Sequence, residues 1–329
     1  MADYQDIRGL RVKYLSADPS TTTAGEVWYN STSGTLKASV VFAAAWSSAT
    51  AYPTPRRDCS GFGTQTAGVV FGGSNPRTAE ANEWNGSSWT AATAVPTAIN
   101  GLDSSGPQTA GLTAGGNTPG SPVATDTASF DYNGASWSAN PTLPVRRTGH
   151  ATVGGTAAQT AAIAVSGEPA GMTSTSDWDG SSWTVGPTVP TWAQGTSGGG
   201  TTTAAFCIGN VNDATATLVY NGSSWTAGNS STNGHNYGGA GGTDADGITF
   251  GGTSVPSPGT RNVQAELYDG TNWSTGANMG TGRSNLHGDL VITAPACLSA
   301  TGYVAPPGYS SLCEEFNAEY VGTQTLTTS

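Results

Sequence analysis

Tyr220-Asn221-Gly222-Ser223-Ser224-Trp225 is the stretch from which this chain can be read. The same unit returns as Trp84-Asn85-Gly86-Ser87-Ser88-Trp89, Tyr132-Asn133-Gly134-Ala135-Ser136-Trp137, Trp178-Asp179-Gly180-Ser181-Ser182-Trp183 and Tyr268-Asp269-Gly270-Thr271-Asn272-Trp273. Asn-Gly or Asp-Gly between aromatic residues is a strong hairpin signal, because glycine, with Asn or Asp before it, accepts a positive φ. Each copy predicts two antiparallel strands joined by a tight turn, with the closing tryptophan presenting its apolar surface at the same point. From Trp89 the closing residues follow at 137, 183, 225 and 273, in steps of 48, 46, 42 and 48 residues. A period in that range, with about four short strands per unit, predicts propeller blades rather than a helical solenoid.

Seven residues after Trp46, Trp89, Trp137 and Trp183 stand Pro53, Pro96, Pro144 and Pro190, while Thr232 and Gly280 take that place after Trp225 and Trp273. A proline there ends an outer strand and turns the chain towards the next blade. Trp46 then belongs to the last strand of a blade whose other strands do not immediately precede it. Between each such position and the next hairpin lies an apolar run ending in glycine, at 68–73, 111–116, 162–167, 204–209 and 247–252. Paired glycines predict that these runs are inner strands crowded near a central axis. A sixth, degenerate unit runs from 283 to 320, with 296–302 as its inner strand and Glu315-Phe316-Asn317-Ala318-Glu319-Tyr320 in place of the hairpin.

Six units predict an all-β, six-bladed β-propeller with four-stranded antiparallel blades. Pairing of the N-terminal strand with the C-terminal unit closes it and removes the exposed edges of an open array. Residues 1–38 carry no copy of the repeat. Within them 26–37 reads as a hairpin with a four-residue polar tip, and the whole segment as an arm or small cap, leaving 39–329 as the propeller. Residues 321–329 read either as an added strand or as a loose tail.

Composition narrows the function. Charged residues make up 10% of the 329 positions and glycines number 47, too many small residues for a helical protein. Ten Trp, 11 Tyr and 7 Phe are too many aromatics for a disordered one. Burying one tryptophan removes ~200 Å² from water, worth ~5 kcal/mol as an upper estimate, so one per blade is a substantial core. The formal charge is −11 with only two lysines, Lys13 and Lys37, so no basic stripe exists and nucleic-acid binding is not expected. No 18-residue apolar run and no apolar leader occurs, which predicts neither membrane insertion nor a cleaved export signal. Cys59, Cys207, Cys297 and Cys313 lack CxxC spacing and suggest no zinc site; Cys297 and Cys313 leave a disulfide or two buried thiols open.

His150, His235 and His287 are the three histidines, and each opens the first strand of a unit. Equivalent propeller positions converge near the axis, so they read either as metal ligands or as hydrogen-bonded structural groups. Their units are unevenly spaced around six and no carboxylate recurs beside them, so no metal is predicted. Arg56-Arg57 and Arg146-Arg147 read as matching pairs, with Arg283 in the sixth unit. They suit either carboxylates of an acidic glycan or partner, or pairing between blades with backbone carbonyls and acids such as Asp58. Glycosidase chemistry needs two carboxyls at a set separation, and Asp58, Asp103, Asp126, Glu168, Asp213, Asp244 and Asp246 show no repeated or clustered context. Asp244-Ala245-Asp246-Gly247 reads as a turn, since the other calcium ligands are missing. No GxSxG, Walker or HExxH pattern occurs, so neither an enzyme nor a cofactor is expected. Trp84 and Trp178 suit packing, whereas Trp192, after Pro190, suits a surface contact. The candidate ligand-binding residues are thus Trp192, Arg56, Arg146, His150, His235 and His287, with the loops 116–125, 167–176 and 252–263.

An apolar strand ending Gly-Gly, then an aromatic-Asn/Asp-Gly turn, then Trp, resembles the kelch repeat, whose family forms β-propellers. The resemblance covers about residues 46–320 and departs from the common pattern in its Thr/Ser-rich strands. A narrower one is stronger in detail. Gly63-Thr64-Gln65-Thr66-Ala67-Gly68-Val69-Val70-Phe71-Gly72-Gly73, its variant Gly106-Pro107-Gln108-Thr109-Ala110-Gly111 and the Asn-Gly-Ser-Ser-Trp-Thr hairpins are similar to repeat-bearing virion proteins of marine tailed phages. Residues 13–20 and 25–37 resemble the leader before those repeats. The resemblance implies a non-enzymatic virion protein assembled in the host cytoplasm, a tail or other appendage present in multiple copies. Residues 1–38 would dock it on other virion proteins, and its loops would contact a host-surface glycan. A capsid decoration protein without a receptor role and a carbohydrate-active propeller enzyme are the alternatives.

Overall fold

The computed structural model describes residues 12–74, 76–119, 124–169, 172–191, 194–254, 260–286, 296–304 and 308–326. Trp192 and His287 lie outside the described residues, as do parts of the loops 116–125, 167–176 and 252–263. The chain divides into two units, Met1–Ala45 with Ala318–Ser329, and Trp46–Asn317.

The larger unit repeats one four-stranded antiparallel sheet. The first sheet is Arg57–Thr64, Ala67–Ser74, Ala81–Trp84 and Trp89–Ala91; the fourth is Ser197–Gly200, Ala205–Ile208, Thr217–Tyr220 and Trp225–Ala227. The second, third and fifth begin at Asp103–Ser105, Ala151–Val153 and Gly239–Gly242 and end in the strands of Trp137, Trp183 and Trp273. In the sixth, Cys297–Ala300 pairs with Cys313–Asn317, and the next strand is Ala45–Ala49, which carries Trp46.

The glycine-ended apolar runs are second strands, not the innermost ones. A further strand precedes each in the first five sheets, and the first strands of successive sheets adjoin one another. Sequences such as Ser197-Gly198-Gly199-Gly200 hide this, having no apolar alternation to mark a strand. Their smallness is steric: a Cβ on Gly199 would lie 2.7 Å from the backbone carbon of Gly241 in the next sheet. Apolar clusters fill the space between sheets instead of a single centre. Phe62 and Phe71 of the first sheet pack with Tyr132 of the second, and Val70 and Trp84 of the first with Leu298 of the sixth.

The hairpins form, with a loop longer than a two-residue turn. Trp84 pairs with Trp89 and Tyr220 with Trp225, leaving four residues between. Only glycine takes a positive φ, 88° at Gly86 and 89° at Gly222. Asn85 and Asn221 act through their side chains: each Oδ1 accepts the N–H groups two and three residues on, at 2.9–3.0 Å. Asp179 and Asp269 do the same, which is why only Asn or Asp fills this place.

Two kinds of bond tie successive sheets, an indole bond made by three of the six tryptophans and a backbone bond made in every repeat. The indole Nε1 of Trp89 donates to Thr50 O (3.0 Å) and that of Trp137 to Thr93 O (2.9 Å), each acceptor lying four residues past the preceding tryptophan. Trp46 Nε1 donates to Ala277 O (2.9 Å), four residues past Trp273, and the Trp46 ring lies 5.4 Å from that of Phe316. The other bond lies twelve residues after each tryptophan. There Asp58, Gly101, Gly149, Gly195, Tyr237 and Asn285 all have φ between 54° and 72°. Gly101 N donates to Asp58 O (3.1 Å), Gly149 N to Gly101 O (3.0 Å), Gly195 N to Gly149 O (2.8 Å) and Tyr237 N to Gly195 O (2.7 Å). Leu286 N then donates to Tyr237 O (3.3 Å), and Asp58 N to Asn285 O (3.4 Å). A strand residue points N–H and C=O to the same side, whereas helical dihedrals point them opposite ways. A left-handed residue can therefore give to one neighbouring sheet and receive from the other.

The smaller unit is a sheet of Lys13–Leu15, Val27–Asn30, Thr35–Phe42 and Tyr320–Thr325, the first pair parallel and the others antiparallel. The hairpin tip is Ser31–Gly34, as the sequence suggests, and of the two readings of the C-terminal segment it is the added strand that forms. One face is covered by the chain around Asp18, whose carboxylate accepts from Trp28 Nε1 (3.0 Å), Asn30 Nδ2 (2.7 Å) and Lys37 Nζ (2.6 Å).

Candidate binding face

In a four-stranded antiparallel sheet the links alternate between ends. The second-to-third link and the lead-in to the next sheet share one end, and the Asn/Asp-Gly hairpins lie at the other. The described parts of the loops 116–125, 167–176 and 252–263 therefore lie at the same end of their sheets as the six left-handed residues, Arg56, Arg147, Arg283, His150 and His235.

On this face Tyr303 stands beside two guanidiniums: the Arg261 carbon lies 4.3 Å and the Arg57 carbon 4.9 Å from its ring centroid. Tyr309 is 5.5 Å from Arg57. Arg261 comes from the loop of the fifth sheet, Tyr303 from that of the sixth, and Arg57 opens the first. Arg57 also pairs with Asp58 (3.3 Å) and keeps about a third of its side chain exposed. Cation–π contact holds the guanidinium planes against the ring. Composition alone missed Arg261 and Tyr303, because their loops carry no repeat; only folding brings them to Arg57.

The expected arginine register is off by one residue. Ten residues past the tryptophan stand Arg56, Arg147, His235 and Arg283, so Arg56 matches Arg147, and Arg146 is an exposed neighbour. Arg147 is fully buried. Its Nη1 donates to the carbonyls of Ala164 (2.9 Å), Ser166 (3.1 Å) and Ser174 (3.3 Å), and its Nη2 to Ser176 Oγ (2.7 Å). Burial lowers its guanidinium to about 10, and Asp177 acts the other way. Arg283 bonds Thr301 O (2.6 Å), Leu312 O (2.7 Å) and Glu314 Oε2 (3.0 Å), while Arg56 pairs with Glu80 (2.5 Å). These cations bind their own sheet's carbonyls and acids.

The histidines do not hold equivalent positions. His150 falls thirteen residues after its tryptophan, His235 ten and His287 fourteen. His150 is buried against Gly115 and Gly167. His235 replaces arginine, its Nε2 2.9 Å from Glu266 Oε2 and its Nδ1 2.9 Å from Gly251 O. Burial pushes the Glu266 carboxyl up, but bonds from His235 and from the N–H groups of Asn233 and Thr232 outweigh it and hold it at about 2. Among the described residues no three His, Cys, Asp or Glu side chains stand together as a metal site.

Of the carboxylates, Asp126 caps the N–H groups of Thr127 (2.7 Å) and Ala128 (3.1 Å), and Asp244 and Asp246 lie in a turn at the opposite end of the fifth sheet. Asp103 lines a cavity of about 50 Å³ between first strands, with Ser104, Thr152, Ser197 and several glycines. Burial raises its carboxyl to about 7 against bonds from the N–H groups of Thr152 and Ser104. Such a space holds a few waters, not a sugar ring. The four cysteines are buried and form no disulfide; Cys297 stands across from Phe316 and Cys313 from Ala300.

No known family model matches the chain, and no curated protein does. Solved structures do: the chain is similar to YjhT, with 14% identity and a TM-score of 0.66 over 83% of this chain and 99% of that one. The likeness is one of fold, and that fold is all-β and propeller-like.

Proposed function

We propose that the six repeated sheets are blades of one closed kelch-like propeller, and that the protein is a non-enzymatic component of a phage particle. Closure is supported by the backbone bonds running from Asp58 through each repeat to Asn285, and by the strand of Trp46 lying beside Cys313–Asn317. The particle setting rests on the likeness of the repeats and leader to virion proteins of tailed phages.

The observation that carries a binding role is Tyr303 beside both Arg57 and Arg261 on the loop face. An aromatic ring with two guanidiniums beside it, the Arg57 side chain about a third exposed, suits the carboxylate and flat ring of an acidic surface glycan. The hairpin face is left for neighbouring virion proteins. Single sites of this kind bind weakly, and many copies on a particle would supply the avidity.

The test has two parts. A map of the intact particle locates the protein; its absence from purified particles would remove the virion reading. Binding of the purified chain to acidic polysaccharides is then compared with Arg261→Ala and Tyr303→Ala, where about a tenfold loss is expected. No glycan binding, with the protein present in particles, would leave a decoration role without receptor contact.

A further inference from the structure

Eleven large apolar side chains are highly exposed among the described residues, and nine of them belong to the smaller unit; the far larger unit has only Val185 and Leu312. Seven of the nine share one face of its sheet, while Val41 and Val321 stand opposite each other on the other face. Tyr14 stands opposite Tyr29, Tyr29 opposite Leu36, and Leu326 continues the ladder by donating its N–H to Leu36 O (2.9 Å). Side chains alternate between faces, so Val12, Val27 and Phe42 share this side, and Tyr320 stands opposite Phe42. Tyr14 and Tyr29 stack at 5.0 Å, as do Phe42 and Tyr320. Among the described residues no charged side chain occupies a position of this face. The other face is covered by the chain around Asp18 where Trp28 and Ser39 are 1% exposed, and is open at Val41 and Val321.

We propose that this apolar sheet face is the contact between two copies of the chain, packed sheet on sheet about a twofold axis. Two features select a second copy. At ~200 Å² per fully exposed aromatic, the seven exposed side chains present on the order of 600 Å², at the top of what a lone soluble surface usually shows in one patch. Doubled, that is ~1,200 Å², the lower bound of stable interfaces, so the pair forms and dissociates with concentration. Charge permits it as well. Met1–Ala45 with Ala318–Ser329 holds four Lys/Arg against five Asp/Glu, a net −1 of the chain's −11, so the mutual repulsion resides in the other unit. A nearly neutral face is self-compatible. The inference does not rest on the particle reading.

Sedimentation velocity of the full chain, from about 1 to 100 µM, tests it. The wild type is expected to shift from monomer to dimer across that range, and Tyr14→Lys with Tyr320→Lys to remain monomeric throughout. These side chains are 73% and 54% exposed, so circular dichroism and thermal unfolding should match the wild type and exclude misfolding. A wild type monomeric at the top concentration overturns the proposal, as does a double variant that dimerises equally well. Flotation of a monomeric wild type with neutral lipid vesicles, lost in the double variant, would assign the face to a membrane surface instead.

Discussion

Asn285 donates its side-chain amide to the Asp58 carboxylate at 2.6 Å, and its backbone carbonyl accepts the Asp58 N–H at 3.4 Å, tying residues 227 positions apart twice. The same left-handed geometry recurs once per repeat, where three of the six residues are glycine and three are not. That mixture separates backbone strain from steric clash.

Gly149 and Gly195 both adopt positive φ, so alanine at either costs roughly 1–2 kcal/mol of strain. A Cβ on Gly149 meets nothing closer than 3.6 Å, whereas one on Gly195 would lie 2.4 Å from Asn236 Oδ1. Gly195→Ala is expected to lose about 1–3 kcal/mol more than Gly149→Ala. Urea denaturation of both variants measures the gap, and equal losses would remove the clash from the account.

Arg147→Met leaves three carbonyls and a hydroxyl inside the third sheet without their donor and should cost about 3–5 kcal/mol. Arg146→Ala, exposed, should stay within about 0.5 kcal/mol. Thermal unfolding decides which of the adjacent arginines supports the sheet.

Asp103 titrates at about 7 in the fold against 3.8 in its absence. The folded chain therefore holds a proton that the unfolded chain has released between those values, and stability falls as pH rises from about 4 to 7. Asp103→Asn should flatten that segment of the stability profile and make the variant the more stable one at pH 8. An unchanged profile would show that the carboxyl is ionised throughout.

Glu266 runs the other way. Its folded value of about 2 lies below the ordinary 4.5, so it stabilises above pH 4.5 and loses that contribution as pH falls towards 2. Glu266→Gln should be less stable than wild type by about 1.5–3 kcal/mol at neutral pH, and the difference should shrink in acid.

Removing residues 1–49 deletes the strand of Trp46 and bares the edge of Cys313–Asn317; soluble yield should collapse into aggregate. Trp46→Phe keeps the ring contacts and loses only the bond to Ala277, about 1 kcal/mol. A soluble, monomeric truncation would show that the strand is dispensable.

Local chemistry was legible in the chain. The Asn/Asp-Gly turns, the tryptophan period and the place of Trp46 in a sheet completed by distant strands all follow from residue type and spacing, because turn dihedrals and aromatic burial depend on near neighbours. The first strands were not legible, since Ser197-Gly198-Gly199-Gly200 is chosen by the backbone of the next sheet and not by an apolar core face. Nor was the register of the cations: Arg146 and Arg147 are chemically identical in sequence, and only packing sends one to carbonyls and the other to water. The cluster of Arg57, Arg261 and Tyr303 and the bare face of the smaller sheet are likewise products of tertiary structure. Each joins residues far apart in the chain, whose proximity depends on how many sheets intervene and how each closes on the next.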